Sequence, residues 1–374
     1  MTTTPSQNAA MGSPLENSGL DFFAPLLPWQ QQAWTQLTAP QNQAALPHAL
    51  LAAGIEGMGK RQFVWRLVAW LLCRARASHP LGACGVCESC DWLKSGTHPN
   101  LQVLPLHSLP LVATEEEPTN KSKASKSTAK DSTDAPKRTI KVDDIRQLIS
   151  FVHQGSQGIR VCVFDYAEQM TIGAANALLK TLEEPQPKVH LLLITDSPAQ
   201  LLPTIKSRVQ QLPLQRIPYE LATGYIKEQL GGQVSDAEVA QLLSLANGAP
   251  LAAVAMASAP WYGKRKVWLT VWLALRAGKR SALAASDYWQ KELSLAEFTQ
   301  LTELMLIDIN RIVLGLDSLQ QDCDIAEAVP AEFMPSMAAL EELARVIASS
   351  KRAIQQNVQE KLAYDKLMQS IAQT

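Results

Sequence analysis

The pattern of apolar and polar positions changes once along this 374-residue chain, near Pro218. Before it, short apolar runs alternate with amphipathic stretches. His48-Ala49-Leu50-Leu51 reads as a short strand leading into a glycine-rich loop, and Lys60 to Cys73 as the helix that follows it. Ile159–Phe164 (IRVCVF) is an apolar, β-branched run and Val189–Thr195 (VHLLLIT) a second apolar run, as strands covered on both faces of a parallel sheet are. Another short strand is predicted just after Arg208. Amphipathic helices are predicted from Val142, with Leu148, Ile149 and Val152 inward, and over Thr171–Glu184, with Ile172, Ala175, Leu178, Leu179 and Leu182 at helical spacing and Pro185 as the stop.

Beyond Pro218 the strands cease. Tyr219 to about Ser258 reads as two or three short helices with a turn at Gly248-Ala249-Pro250, and Trp261–Thr374 is helical throughout. Leu340, Leu343, Ala344 and Ile347 form one apolar stripe. Asn357, three residues before Glu360, caps a predicted last helix carrying Leu362, Leu367 and Ile371. A βαβ half followed by an all-helical half implies α/β plus all-α domains. Residues 1–24, rich in Thr, Ser, Asn, Gln and Pro, are expected to be a disordered leader. The low-complexity Lys/Ser/Thr segment of 105–139 is expected to be a flexible insertion. With Lys+Arg 34 against Asp+Glu 35, bulk charge argues against a non-specific nucleic-acid binder. No basic segment precedes an apolar run near Met1, and the run Phe63–Cys73 is interrupted by Arg66 and too short for a bilayer, so a soluble intracellular protein with no membrane partner is expected.

The candidate chemistry starts at Gly54–Arg61, GIEGMGKR. Gly54, Gly57, Gly59 and Lys60 have the spacing of a phosphate-binding loop, and the strand–loop–helix context supports it. The next position, however, is Arg61, where a Ser or Thr hydroxyl would ligate Mg²⁺, and a guanidinium has no lone pair to give. Asp165, at the end of IRVCVF, stands where such a sheet holds Mg²⁺ through water. The residue after it, where an ATPase of this kind carries a glutamate, is Tyr166, and Glu168 is two residues further on. Thr195, ending VHLLLIT, is either a γ-phosphate sensor or an ordinary strand-end threonine. Cys73, Cys84, Cys87 and Cys90 supply four thiolates, the set a closed structural Zn²⁺ site needs; the alternatives are four free thiols or two disulfides, the latter disfavoured in a reducing compartment. His79 and His98 are not needed to complete it and read as surface or turn histidines. Arg208, after Ser207, reads on its own as a lone charge at a sheet rim.

Taken together, HALL at His48–Leu51, the CxxCxxC block followed by Ser95-Gly96-Thr97-His98-Pro99, NALLKTLEEP at Asn176–Pro185 and Lys206-Ser207-Arg208 resemble the clamp-loader branch of the AAA+ ATPases. The resemblance runs from about residue 25 to the end and is strongest over 48–100 and 160–215. In the tail it rests on NVQEKLAYDKL at Asn357–Leu367, and 105–139 has no counterpart. It implies an AAA+ P-loop domain over 25–216 with a zinc module at 73–90, a helical lid over 217–260 and a helical collar over 261–374. Arg61, Tyr166 and the lack of an arginine in Gly248–Leu251 point to a member that keeps the fold without hydrolysing ATP, so ATP binding is doubtful. The family's Ser-Arg-Cys triplet appears as Ser207-Arg208-Val209. It implies that Arg208, supported by Ser207, reaches a neighbour's ATP as an arginine finger. The implied partners are gamma/tau motor subunits, a delta subunit and, through them, a sliding clamp and primer–template DNA. Two rivals follow from the residues: a motor ATPase that tolerates Arg61, and a DNA-binding protein that reads nucleic acid through its cysteine module.

Overall fold

A computed structural model describes residues 21–39, 46–105, 139–153, 158–214, 216–232, 234–355 and 360–374. Residues 1–20 of the expected leader, 106–138 of the expected insertion and the cap position Asn357 lie outside the described residues. The chain divides into two compact units. The first contains the described residues to Tyr225 together with Ala249–Ala252, the second Ile226–Gly248 and Ala253–Thr374.

In the first unit the elements run α1 (Gln31–Thr38), β1 (Ala49–Ala53), α2 (Lys60–Leu72), α3 (Glu88–Lys94), β2 (Leu101–Leu104), α4 (Val142–His153), β3 (Arg160–Phe164), α5 (Ile172–Glu183), β4 (Val189–Thr195), α6 (Pro203–Lys206) and β5 (Gln210–Gln211). The five strands form one parallel sheet in the order β2-β3-β4-β1-β5. Alternation along each strand feeds two cores. Leu50, Ala52, Val161 and Val163 pack with Phe63, Leu67 and Trp70 of α2. Ala49, Leu51, Cys162 and Phe164 pack with Ile145 and Leu148 of α4 and Leu178 and Leu182 of α5. Sheet faces covered on both sides explain why IRVCVF and VHLLLIT carry no polar face. Phe22 is buried and meets Trp65 edge to face at 5.8 Å, so packed residues extend into the stretch expected as a leader.

Register decides what the sheet can present. Ala53 pairs with Thr195 and Phe164 with Leu193. The residues that follow β1, β3 and β4 therefore emerge together at the carboxyl edge, the edge at which open α/β sheets bind ligands. In α5 the buried residues are Ala174, Ala175, Leu178, Thr181 and Leu182. Ile172, expected inward, is 70% exposed, because at 100° per residue it lies about 120° from the centre of that stripe.

The second unit is helical: α7 (Tyr219–Gln229) and α9 (Pro250–Ser258), each of which crosses the division, and α8 (Asp236–Leu245), α10 (Arg265–Arg276), α11 (Ala282–Glu292), α12 (Leu295–Val313), α13 (Ile325–Ala328), α14 (Met337–Gln355) and α15 (Glu360–Gln373). α14 packs on α12 and α15, and α15 on α11. Trp289, Phe298 and Tyr364 stack at its centre at 5.1 Å spacings. Leu340, Leu343 and Ile347 are buried, whereas Ala344 and Leu362 face out; Val346, Tyr364 and Met368 complete the stripes. Arg265, stacked 3.7 Å over the Tyr262 ring, donates through Nη1 and Nη2 to Asp322 at 3.0 and 2.7 Å.

Candidate functional site: a phosphate loop closed by its own arginine

The loop between β1 and α2 has the left-handed turns a phosphate cradle needs. Gly57 and Gly59 have φ of 83° and 82°. A Cβ on Gly57 would fall 2.5 Å from the Ala252 Cβ, and one on Gly59 2.2 Å from Leu27 Cδ1. Both positions thus require glycine for conformation and for close approach. The loop is also tied down from outside. Trp29 Nε1–H donates to the Met58 carbonyl at 3.0 Å, Gln30 Nε2–H to the Gly59 carbonyl at 2.8 Å, and the Leu251 N–H to the Gly57 carbonyl at 3.0 Å. Leu251 belongs to the turn where the clamp-loader resemblance places a motor's arginine, and here it meets the loop with backbone and aliphatic carbon.

The two departures read separately in the sequence, Arg61 and Tyr166, form one feature. Arg61 turns inward across the carboxyl edge of the sheet. Its Nε–H donates to Asp165 Oδ1 at 2.9 Å and its Nη2–H to Asp196 Oδ2 at 2.7 Å. The guanidinium carbon lies 4.3 Å from the centroid of the Tyr166 ring. Lys60, with 2% of its side chain exposed, donates to Asp196 Oδ1 at 2.7 Å and to the Ile55 carbonyl at 2.5 Å. Two cations thus meet two carboxylates, and the lysine that would hold a phosphate is spent inside the protein. Asp196 was not legible as a site residue; it follows the strand-end threonine, and only the β1–β4 register brings it to the loop.

The electrostatics follow this wiring. Burial lowers the Lys60 pKa, against the hydrogen bond and charge of Asp196. Burial also opposes the charge on Arg61, but the hydrogen bond to Asp196 and both carboxylates outweigh it, so its pKa rises. Asp196 is held below the usual carboxylate range: burial is overcome by hydrogen bonds and charge from Arg61 and Lys60. Asp165 goes the other way, because burial exceeds what Arg61 returns. Thr195 is fully buried and its Oγ1 accepts from the Ser197 N–H at 3.2 Å, the arrangement of a satisfied strand-end threonine.

The four cysteines converge. Cys73 ends α2, Cys87 caps α3, Cys90 lies within α3 and Cys84 in the preceding loop. Their sulfurs all lie within 4.8 Å of one another; Cys73–Cys87, Cys84–Cys90 and Cys87–Cys90 are 4.0, 3.9 and 3.5 Å apart. A tetrahedral thiolate-bound zinc with bonds of about 2.3 Å puts its sulfurs about 3.8 Å apart. The set fits a metal ion. His79 is exposed, as expected of a turn residue. His98 is not on the surface. It is buried, and burial and the Arg74 charge lower its pKa to about 4. Ser89 Oγ–H donates to the Leu72 carbonyl at 2.7 Å, so His98 Nε2–H donates to Ser89 Oγ at 2.8 Å, while His98 Nδ1 accepts the Asn100 N–H at 3.1 Å. The SGTHP segment thereby anchors the cysteine module to the start of β2.

Arg208 follows α6 and is held at the surface. Its Nη1–H groups donate to the Thr204 carbonyl and to Ser207 Oγ, each at 3.1 Å, and its Nε–H to Glu183 Oε1 at 2.7 Å, with Nη2 in ion-pair contact with the same oxygen at 2.6 Å. Ile205, fully buried, fixes α6 to the sheet.

Strand order 5-1-4-3-2, a glycine loop of phosphate-binding spacing after β1, an acid after β3 and a threonine ending β4 define a P-loop domain of the AAA+ class, here with Arg61 bridging the acids that follow β3 and β4. A family model described as "DNA polymerase III, delta subunit" matches residues 29–218. The chain is 37% identical over 233 residues to DNA polymerase III subunit delta' of Pseudomonas aeruginosa, covering 62% of this chain and 61% of that protein. It is 31% identical over 265 residues to the subunit delta' of Yersinia pestis, covering 70% and 67%. It is 28% identical over 227 residues to DNA polymerase III subunit gamma/tau of Mycobacterium bovis, covering 59% and 34%. The match thus spans less than two thirds of the Pseudomonas protein. The chain belongs to the delta-prime subunit family of DNA polymerase III. Among the described residues no single helix is long and apolar enough to cross a membrane.

Proposed function

We propose that this chain is a non-hydrolysing subunit of the DNA polymerase III clamp loader, cytoplasmic, and without ATPase activity of its own. The observation that carries this reading is the Arg61 guanidinium bridging Asp165 and Asp196 while Lys60 holds Asp196. A metal–triphosphate entering the loop would have to break three ion pairs and displace a tethered cation. Gly54, Gly57, Gly59, Lys60, Asp165 and Thr195 are then the remnant of a nucleotide site.

The contribution to ATP hydrolysis is made in trans. Arg208, with Ser207 supporting its turn, acts as an arginine finger toward the ATP of a gamma/tau motor subunit, where a guanidinium neutralises charge developing on the transferred phosphoryl group. Residues 217–260 serve as a lid and 261–374 as a collar joining motor and delta subunits, and the assembly loads a sliding clamp on primer–template DNA. The cysteine module holds one structural Zn²⁺, which ties down the excursion between α2 and β2.

The test is reconstitution with motor and delta subunits. The isolated chain should neither turn over ATP nor require it to fold, and the complex should hydrolyse ATP. Steady turnover by the isolated chain that Lys60→Ala abolishes would establish the motor reading instead. Metal analysis should return about one zinc per chain, lost with destabilisation of the first unit in Cys87→Ser. A metal-free chain with the same stability would remove the zinc assignment.

A further inference from the structure

Within this chain the Arg208 guanidinium already has partners of its own. A guanidinium has five N–H donors. Three of those on Arg208 are engaged within this chain: two on Nη1 by Thr204 and Ser207, and the Nε–H by Glu183, whose Oε1 also lies 2.6 Å from Nη2 as an ion pair. The Nε/Nη2 edge is one with which arginine grips a phosphate bidentately, and it faces a carboxylate. Glu183 is placed there by the fold. It is the last residue of α5, whose end is fastened by His48 Nε2–H donating to the Leu182 carbonyl at 2.9 Å. A carboxylate in the last turn of a helix opposes the helix dipole and Glu184 beside it adds like charge, while Lys180 three residues back is the basic group of that turn. The cation that Glu183 pairs with is Arg208.

We infer that Glu183 is a latch on Arg208: an intramolecular anion that occupies the phosphate-gripping edge of the finger and must be displaced by the neighbour's γ-phosphate. The inference rests on the trans-acting role of Arg208. The latch is weak by construction. Both side chains are partly exposed, at 35% and 50%, and such pairs hold loosely in water. Thr204 and Ser207 keep the other nitrogen anchored when Glu183 lets go, so release reorients the guanidinium without freeing the turn. Glu183 is therefore a positioning residue, and it restrains hydrolysis in the resting assembly.

The experiment is a mutant cycle in the reconstituted complex, with ATP hydrolysis measured without clamp and DNA and then with both. Glu183→Gln keeps the side-chain length and removes the charge. It should raise basal hydrolysis and lower the KM for ATP by up to about fivefold, the equivalent of the ~1 kcal/mol upper end for an exposed ion pair, while the stimulated kcat stays at the wild-type level. Glu183→Asp should restore most of the restraint. In an Arg208→Ala background Glu183→Gln should change nothing. If Arg208→Ala lowers stimulated hydrolysis but Glu183→Gln leaves basal rate and KM unchanged, lowers them together, or acts equally without Arg208, the latch is wrong and the finger stands. If Arg208→Ala itself is silent, the finger fails and the latch falls with it.

Discussion

Two arginines of the first unit carry the same group in opposite settings. Arg61 is drawn inward, bridges two aspartates across the ends of β3 and β4 and lies on an aromatic ring. Arg208 stands at the rim, anchored by a carbonyl and a hydroxyl, with one glutamate as its charged partner. The difference lies in how many contacts must break before the guanidinium can be used elsewhere. Arg61 would leave buried carboxylate behind, so it is committed to the structure. Arg208 would leave a half-exposed glutamate in water, so it is available. A nucleotide fold can thus lose its own chemistry at one arginine while keeping a cation to lend at another.

The contrast breaks first if the two arginines fail to separate function from stability. Arg208→Ala should cost about a thousandfold in DNA-stimulated hydrolysis at the site it serves in the assembled complex, the lower end of what trans-acting fingers supply. Its effect on urea unfolding of the isolated chain should be under about 0.5 kcal/mol, since an exposed pair contributes little. Arg61→Ala should do the reverse. Removing one partner of a buried ion pair costs about 3–5 kcal/mol, and with 27% of the guanidinium side chain exposed a loss of about 2–3 kcal/mol is expected. Hydrolysis by the complex, once assembled, should remain at the wild-type level. A stable Arg61→Ala chain, or one that lowers turnover as much as Arg208→Ala does, would erase the distinction.

Much of this was legible in the residues, for physical reasons. Apolar runs as short as VHLLLIT, bounded by turn residues, read as strands covered on both faces, and four thiolates within 18 positions can meet because a helix end and a helix start bring them together. The missing hydroxyl and the missing glutamate were readable as losses, each against a known spacing. What replaced them was not. That Arg61 and Tyr166 are one stacked pair, and that Asp196 completes the cluster, depends on strand register, which no local pattern encodes. The contacts of Trp29, Gln30 and Leu251 with the glycine loop are likewise long-range in sequence. Ile172 and Ala344 were misplaced because regular spacing alone does not fix where the centre of a buried stripe lies. The acid directly after a strand-end threonine was the one available hint to Asp196.

The smallest effect separates the two aspartates that receive Arg61. Asp196 is held below the ordinary carboxylate pKa, so its ionised form is favoured by folding. Its contribution is complete above the unfolded value of about 3.9 and is lost as pH falls through the lower folded value. Asp165 is raised by burial, so its sign is opposite: ionisation costs stability at neutral pH, and the cost is relieved on acidification. Asp165→Asn keeps an Oδ1 that accepts from Arg61 Nε–H and from the Tyr166 N–H, as Asp165 does at 2.9 and 3.0 Å, and discards the buried charge. It should change stability by less than about 1 kcal/mol, within the range of a neutral hydrogen bond exchanged for a charged one. Asp196→Asn removes the shared counter-charge of Lys60 and Arg61 and should cost more, about 2 kcal/mol, because it leaves the buried Lys60 without its carboxylate and Arg61 with Asp165 alone. It should also flatten the acid limb of the stability–pH curve below about pH 4, where Asp165→Asn leaves that limb in place. Equal costs, or an acid limb insensitive to Asp196, would mean that the two carboxylates share the arginine evenly and that the asymmetry between them carries no free energy.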